Sequence, residues 1–214
     1  MTQIYPNLYQ FTYVMEPIKL SMHQYLLDAE EPVLIQTGAA QQAQATLPQL
    51  KQLLGDRLLK YILISHFESD ECGGLSVVLK EYPNAVAVCS ETTARQLLGF
   101  GITQNIEVKK PGDTLKSSDF EFDIIAYPSA EMHMWEGILF KEKCRGIFFS
   151  SDFMFSVGEN THGQVMENSW EEALKISGID RIPIPEMQKR LMEDLGSLSP
   201  SFVASGHGRC IKVI

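Results

Sequence analysis

The sequence predicts a layered α/β or α+β fold, because strand-like and helix-like segments alternate at both ends of the chain and flank a β-rich middle. Short apolar runs between turn residues indicate the strands, and apolar residues recurring every three or four positions indicate the helices. The 214 residues are 44% apolar and 21% charged, which is enough to bury a substantial core. Because the chain carries no internal repeat, low-complexity tract or long linker, residues 1–214 are expected to form a single domain.

In the first half of the chain, predicted strands and helices follow each other in pairs. The strands are Pro32–Thr37, Tyr61–Ser65 and Ala85–Cys89, and the helices are Gln41–Leu54, Leu75–Leu79 and a segment after Ser90. Gly55 is a natural helix stop, since glycine tolerates the left-handed conformation that ends many helices. Ser90 is a natural helix start, since its hydroxyl can accept a hydrogen bond from an amide of the first turn.

In the middle of the chain, strand candidates lie close together, and helices return after them. The strand candidates are Ile106–Lys109, Phe122–Tyr127, Gly137–Phe140 and Gly146–Ser150, with a final one at Phe202–Ser205. The capping-box spacing of Ser169 and Glu172 predicts a helix start. Pro185 in a first turn and Gly196 just past a last turn define a further helix.

The charge and the apolar pattern exclude two classes of partner. The net charge is −9, which speaks against nucleic acid or an anionic membrane surface, because both require a positive surface on the protein. No apolar run approaches the roughly 20 residues of a membrane-spanning helix. The N-terminus lacks the basic and apolar regions of a signal peptide, so we expect a cytoplasmic protein.

Three of the five histidines share a setting, since each follows a predicted strand: His66, His133 and His207. A fourth predicted strand leads directly into Ser151 and Asp152. In layered α/β proteins the reactive groups gather at the carboxyl ends of strands, so these side chains are expected to meet. The remaining histidines lack this setting and are expected to be structural: His23 and His162.

An acidic run follows His66 within the segment ISHFESDECGG and contributes Glu68, Asp70 and Glu71. If these carboxylates converged with Asp152 without compensation, they would repel one another and take up protons. Divalent metal removes that conflict, and seven ligands suit two ions with one carboxylate bridging them. The predicted metal ligands are His66, Glu68, Asp70, Glu71, His133, Asp152 and His207. The alternative is a solvated acidic loop in which Asp70 caps the next helix.

The ligand types bear on the identity of the metal. Mixed imidazole and carboxylate ligands favour iron or manganese, whereas structural zinc prefers thiolate or imidazole. The four cysteines show no CxxC pairing, so a thiolate zinc site is not indicated. Geometry and metal availability still leave zinc open.

These motifs resemble, in order and spacing, the metallo-β-lactamase fold superfamily over roughly residues 20–210. The matching segments are VLIQTG, ISHFESDECGG, the stretch around His133 from Pro128 to Ile138, FSSDFMF and ASGHG. The resemblance implies a four-layer αββα sandwich.

Within that superfamily the chain is most similar to the diiron domain of the flavodiiron proteins, which are oxygen and nitric oxide reductases. Glu68 occupies a position where zinc hydrolases usually carry histidine, and HMWEG and FFSSDFMF resemble flavodiiron stretches. Carried over by position, the resemblance assigns His66, Glu68 and His133 to one iron, Asp70 and His207 to the other, and Asp152 to both. Position 71 usually supplies a histidine to the second iron, and here it is Glu71.

The chain departs from the flavodiiron pattern in three ways. Glu71 replaces a neutral ligand by a charged one, which favours the ferric state of the iron or weakens metal binding at the second site. Gln36 replaces the usual Asp, which orients ligand loops by hydrogen bonds. No flavodoxin-like domain follows the last motif before Ile214, so we expect that FMN is not encoded here and that a separate flavoprotein or rubredoxin-like protein supplies electrons.

The resemblance therefore implies a dinuclear, diiron protein that binds or reduces O2 or NO with electrons from a separate donor. Three alternatives stay open: a non-catalytic diiron O2 sensor, a dizinc hydrolase of esters, lactones or thioesters, and a degenerate protein with one metal or none. In the resembling family a head-to-tail dimer brings flavin to iron, so a homodimer is carried as a further expectation.

Overall fold

The structure, a computed structural model, describes residues 1–127, 136–177, 179 and 182–214. Within these residues the strands form two seven-stranded sheets. The strands of the first sheet are β1 (Thr2–Tyr5), β2 (Leu8–Met15), β3 (Leu20–Leu27), β4 (Val33–Ile35), β5 (Tyr61–Leu63), β6 (Val86–Cys89) and β7 (Ile106–Val108). The strands of the second sheet are β8 (Thr114–Lys116), β9 (Glu121–Tyr127), β10 (Gly137–Glu142), β11 (Ile147–Phe155), β12 (Val165–Asn168), β13 (Phe202–His207) and β14 (Cys210–Val213).

The first sheet follows the chain order from β1 to β7. Strands β1 to β4 are antiparallel neighbours, whereas β4, β5, β6 and β7 run parallel. Parallel neighbours require crossover connections, which here contain the helices. These are α1 (Ala40–Leu54), α2 (Ser69–Cys72), α3 (Leu75–Glu81) and α4 (Glu91–Gly99). The predicted strands and helices of this region are confirmed, with shorter strand bounds.

The second sheet has the order β12-β14-β13-β11-β10-β9-β8. Strands β8 to β11 are antiparallel neighbours, and β11 pairs with β13 in parallel. The prediction that this strand ends at Ser150 was wrong, since β11 continues to Phe155 and carries Asp152 within it. Ser151 has a positive φ of 46°, and the pairing with β13 shifts register around it. The strand therefore bends at Ser151 instead of ending there.

Three clusters of buried apolar side chains fill the three interfaces between four layers. Between the two sheets lie side chains that include Tyr25, Ile35, Phe122, Phe149 and Ala204. Between the first sheet and α1, α3 and α4 lie Leu34, Leu50, Ile62, Val78 and Leu97. Helices α5 (Trp170–Lys175) and α6 (Pro185–Gly196) cover the other face of the second sheet through Phe148, Trp170, Leu174, Leu191 and Val203. This arrangement is the αββα sandwich that the resemblance implies.

Local capping fixes where several helices begin. The Ser90 hydroxyl accepts a hydrogen bond from the Thr93 amide at 3.3 Å, and the Ser169 hydroxyl accepts one from the Glu172 amide at 3.2 Å. Both were predicted from the sequence, because these hydroxyls satisfy amides that have no partner inside the helix. Among the described residues, no helix combines the length and the apolar character that a membrane crossing requires.

His23 lies on β3 and is buried in a polar network that ties the two sheets together. Its Nε2 donates to the Gly208 carbonyl at 2.8 Å and lies 3.1 Å from the Thr161 hydroxyl, while Nδ1 lies 2.9 Å from the Thr12 hydroxyl. Burial lowers the pKa of His23 to about 4, although the bond to the Gly208 carbonyl acts in the opposite direction. His23 is therefore a neutral structural residue, as the sequence predicted.

We predict that His23 makes the fold sensitive to acid. Its pKa of about 4 in the folded chain lies below the unfolded value of 6.5, so protons favour the unfolded chain as the pH falls through this window. The free energy of unfolding should fall by up to about 1.4 kcal/mol per pH unit from this group. Urea unfolding at pH 6.5 and 4.5, with excess EDTA, should show a smaller loss for His23→Gln than for the parent chain.

The control variant is His162→Gln, which removes an exposed imidazole. It should leave most of the acid sensitivity in place. Equal acid sensitivity in the parent chain and His23→Gln would refute the assignment.

Candidate metal centre

Residues from both sheets converge at one edge of the sandwich. His66 comes from the connection after β5, and the acidic run begins at Glu68, the residue directly before α2. The second sheet contributes Asp152 from β11 and His207 from the end of β13. The remaining predicted ligand, His133, lies outside the described residues.

Asp152 lies between the two described histidines. Its Oδ1 is 2.9 Å from His207 Nε2, and its Oδ2 is 3.4 Å from His66 Nε2. The two oxygens of one carboxylate thus face two imidazoles that belong to different sheets. The flavodiiron resemblance assigns Asp152 a bridging role, and this arrangement is compatible with that role.

The acidic run supplies further carboxylates on the same side. Asp70 Oδ2 lies 3.4 Å from His207 Nε2, Glu71 Oε2 lies 3.8 Å from His66 Nε2, and Glu68 Oε2 lies 3.9 Å from the same nitrogen. Two groups have ligand atoms that all lie within 4.8 Å of one another: His66, Glu71 and Asp152, and then Asp70, Glu71 and His207. Glu68 belongs to neither group, and 31% of its side chain is exposed.

The centre of the cluster is withdrawn from solvent. His66, Glu71, Asp152 and His207 have at most 4% of their surface exposed. Glu71 Oε2 is buried and has no hydrogen-bond partner among the described residues. A solvated acidic loop would not bury Glu71 in this way, and an unsatisfied buried carboxylate oxygen is costly without a cation or a proton.

The cluster holds protons strongly. Burial raises the pKa of Glu71 far above its ordinary value, and the charges of Asp152 and Asp70 raise it further. Burial lowers the pKa of His66, but the nearby carboxylates of Asp152 and Glu68 outweigh this effect and raise the pKa to about 9. Positive charge is therefore favoured here, and imidazole and carboxylate donors suit a divalent cation. The residues present fit a metal.

Hydrogen bonds on the far side of each imidazole orient it. His207 Nδ1 donates to the Ser21 carbonyl at 3.1 Å, which turns Nε2 toward the carboxylates. His66 Nδ1 lies 2.9 Å from the Ser65 hydroxyl. Both rings therefore present Nε2 to the cluster.

Ser65 is the junction of a small network beneath His66. Gln36 Nε2 donates to the Ser65 hydroxyl at 2.7 Å, and the Ser151 hydroxyl lies 2.8 Å from it. Gln36 and Ser151 both have a positive φ, 62° and 46°, which costs a non-glycine residue on the order of 1 kcal/mol or more. Gln36 thus acts on His66 through Ser65. Sequence reasoning did not find Ser65 and Ser151, although both directly precede predicted ligands.

Two glycines allow the close approaches on which the site depends. A Cβ at Gly206 would lie 2.7 Å from the carbonyl carbon of Ser151, so only glycine lets β13 bring His207 beside Asp152. A Cβ at Gly74 would lie 2.4 Å from the Ala43 Cβ, so glycine is also required where the acidic segment packs on α1.

A cavity of about 230 Å³ adjoins His207. Its wall is formed mainly by apolar side chains, including Met154, Phe155, Met166 and Ile176. The Phe155 ring makes an edge contact with the His207 ring at 5.3 Å between centroids. The surroundings of this imidazole are therefore apolar on one side and acidic on the other.

Residues 20–208 match the family described as ODP family beta lactamase. This chain belongs to that family. The match runs from β3 to β13 and includes every described member of the cluster. A metallo-β-lactamase fold related to the flavodiiron diiron domain, predicted from the motifs, is thereby confirmed.

Relatives of this ODP family chain include the anaerobic nitric oxide reductase flavorubredoxin of Vibrio vulnificus. It is 24% identical over 157 residues, which are 69% of this chain and 32% of that protein. The chain thus spans about a third of the length of this curated relative.

Solved structures with the same fold include the rubredoxin oxygen:oxidoreductase from Desulfovibrio gigas, with a TM-score of 0.78 and 15% identity over 99% of this chain and 57% of that chain. The flavodiiron protein from Giardia intestinalis has a TM-score of 0.77 and 17% identity over 98% of this chain and 55% of that chain.

We predict that Ser65→Ala lowers metal affinity by about 10–100-fold, because the hydrogen bond that orients His66 is lost. Ser65→Thr, which keeps the hydroxyl, should retain most of the affinity. Competition against a fluorescent chelator measures the affinity, and circular dichroism checks the fold. The exposed Ser118→Ala is the control, and an unchanged affinity in Ser65→Ala would refute the orienting role.

Proposed function

We propose that this chain is a dinuclear iron protein that binds and reduces O2 or NO with electrons from a separate donor protein. The observation that carries the proposal is the Asp152 carboxylate lying between His66 and His207, at 3.4 and 2.9 Å. A buried carboxylate in this position suits two cations at once. Membership of the ODP family and similarity to proteins named as nitric oxide reductase and oxygen:oxidoreductase support the reaction class.

The proposed ligands divide as the flavodiiron resemblance suggests. One position would be held by His66, Glu68 and His133, and the other by Asp70, Glu71 and His207, with Asp152 reaching both. A reduced iron pair would supply two electrons and open coordination positions for a diatomic ligand, and the donor protein would supply the further electrons that the reduction of O2 to water requires.

The chain's own residues prepare the site in three ways. The carboxylates of Glu68, Asp70, Glu71 and Asp152 carry four negative charges, which would balance the charge of two divalent cations. The Ser21 carbonyl and the Ser65 hydroxyl hold the imidazoles in one orientation. The apolar side chains beside His207 offer a surface that suits a neutral diatomic molecule.

The proposed donor is a flavoprotein or a rubredoxin-like protein. The relatives named flavorubredoxin and rubredoxin oxygen:oxidoreductase support this class of donor.

A second candidate is a dizinc hydrolase of esters, lactones or thioesters. The cavity beside His207 favours it, because about 230 Å³ is far more space than a diatomic molecule needs. Such a site would use a metal-activated water as the nucleophile.

Metal analysis and O2 consumption test the proposal on protein purified without oxygen from cells supplied with iron and zinc. We expect about two irons per chain, with repeated O2 pulses consumed in excess of the iron when reductant and a mediator are supplied. A single stoichiometric uptake of O2 would indicate a sensor. Two zincs with ester or lactone hydrolysis would indicate the hydrolase.

Variants connect this activity to the site. Asp152→Asn should lower metal affinity at least about 100-fold, since losing a ligand costs more than losing its hydrogen-bond partner. Asp123→Asn, at a half-exposed position paired with Lys143, is the matched control. Full metal content and turnover in Asp152→Asn would refute the proposed site.

A further inference from the structure

Glu71 lies where the two groups of candidate metal ligands meet. One group of converging ligand atoms contains His66, Glu71 and Asp152, and the other contains Asp70, Glu71 and His207. Glu71 is the residue that the two groups share. By contrast, the flavodiiron resemblance assigns residue 71 as a ligand of the second metal alone.

The distances on the His66 side fit shared coordination. Glu71 Oε2 lies 3.8 Å and Asp152 Oδ2 lies 3.4 Å from His66 Nε2. Ligand atoms that each lie about 2.0–2.2 Å from one ion are separated by roughly 3–4 Å, so all three can hold the same cation. Glu71 Oε2 is also buried without a hydrogen-bond partner among the described residues, as a metal ligand would be.

The backbone at this residue is fixed. The Glu71 carbonyl accepts hydrogen bonds from the Thr37 amide at 2.8 Å and from the Thr37 hydroxyl at 3.2 Å. This anchors α2 to the loop after β4, so the position of the Glu71 side chain follows from the fold. Asp70, its neighbour on α2, faces His207 at 3.4 Å.

The Glu71 side chain has the chemistry that a bridging ligand requires. A carboxylate has two oxygens and can join two cations, whereas a neutral imidazole offers one unprotonated nitrogen to one cation. A glutamate at position 71 can therefore do what the histidine expected there cannot. Its burial among Asp152, Asp70 and His66 leaves it no solvent to turn toward.

We infer that Glu71 is a second bridging carboxylate, which joins the two metal positions alongside Asp152. The inference rests on the proposed dinuclear function and deepens it. Two bridging carboxylates place two negative charges between the cations, so the binding of each ion depends on Glu71. A terminal ligand would influence mainly the ion that it contacts.

Anaerobic titration with Mn²⁺, monitored by calorimetry, tests this difference in four variants. Glu68→Gln should weaken one binding step, Asp70→Asn should weaken the other, and Glu71→Gln should weaken both at least about tenfold, because a neutral amide is a poor bridge. Glu71→His should keep the Mn²⁺ affinity of the binding step that Asp70→Asn weakens, and it should lower the affinity of the other step at least about tenfold. Circular dichroism confirms that each variant is folded.

The outcomes separate this inference from the proposed function. If the parent chain binds two Mn²⁺ and Glu71→Gln weakens only the step affected by Asp70→Asn, the bridging role is overturned and the dinuclear site stands. Unchanged Mn²⁺ affinity at both steps in Glu71→His would also overturn the bridging role and leave the dinuclear site standing. If the parent chain binds fewer than two ions, the dinuclear function itself fails and the inference falls with it.

Discussion

The Asp152 carboxylate between His66 and His207 is the interaction on which the rest of the structure depends. It requires the end of β5 in one sheet and the β11–β13 pair in the other to meet at the same edge of the sandwich. The contact within the second sheet is possible because Gly206 has no Cβ to collide with Ser151. The core between the sheets stabilises this edge, because the Tyr25 and Phe149 rings from opposite sheets pack edge to face with their centroids 6.0 Å apart.

The same interaction couples folding to cation binding. Burying several carboxylates together is unfavourable unless positive charge accompanies them, whether from protons on the imidazoles or from metal. The raised pKa values of Glu71 and His66 reflect this requirement for positive charge. A cation bound by this cluster would stabilise the fold by mass action, because the folded chain assembles the cluster and the unfolded chain does not. Site and fold are therefore not independent features of this protein.

Part of this arrangement could be predicted from the sequence, because apolar runs and capping residues act locally. The strand exits at His66 and His207 and the caps at Ser90 and Ser169 are examples. Strand β3 was missed because both of its faces are buried, so its polar side chains, including Ser21 and His23, break the alternation that marks a strand. The network of Ser65 and the sharing of Glu71 depend on which atoms meet across the two sheets. Spacing along the chain does not contain that information.

The two substitutions that distinguish this site from the flavodiiron pattern offset each other in charge. The resemblance places a neutral histidine at position 71 and an aspartate at position 36, whereas this chain has Glu71 and Gln36. One negative charge is thus gained among the ligands and one is lost beneath them. Gln36 is buried, and an aspartate there would add a further carboxylate below a cluster that already contains Glu71. The neutral amide still donates to Ser65, so the orientation of His66 is kept without the extra charge. Glu71 and Gln36 together therefore fit a site with a second bridging carboxylate. The total charge that the fold buries is the same as with histidine at position 71 and aspartate at position 36.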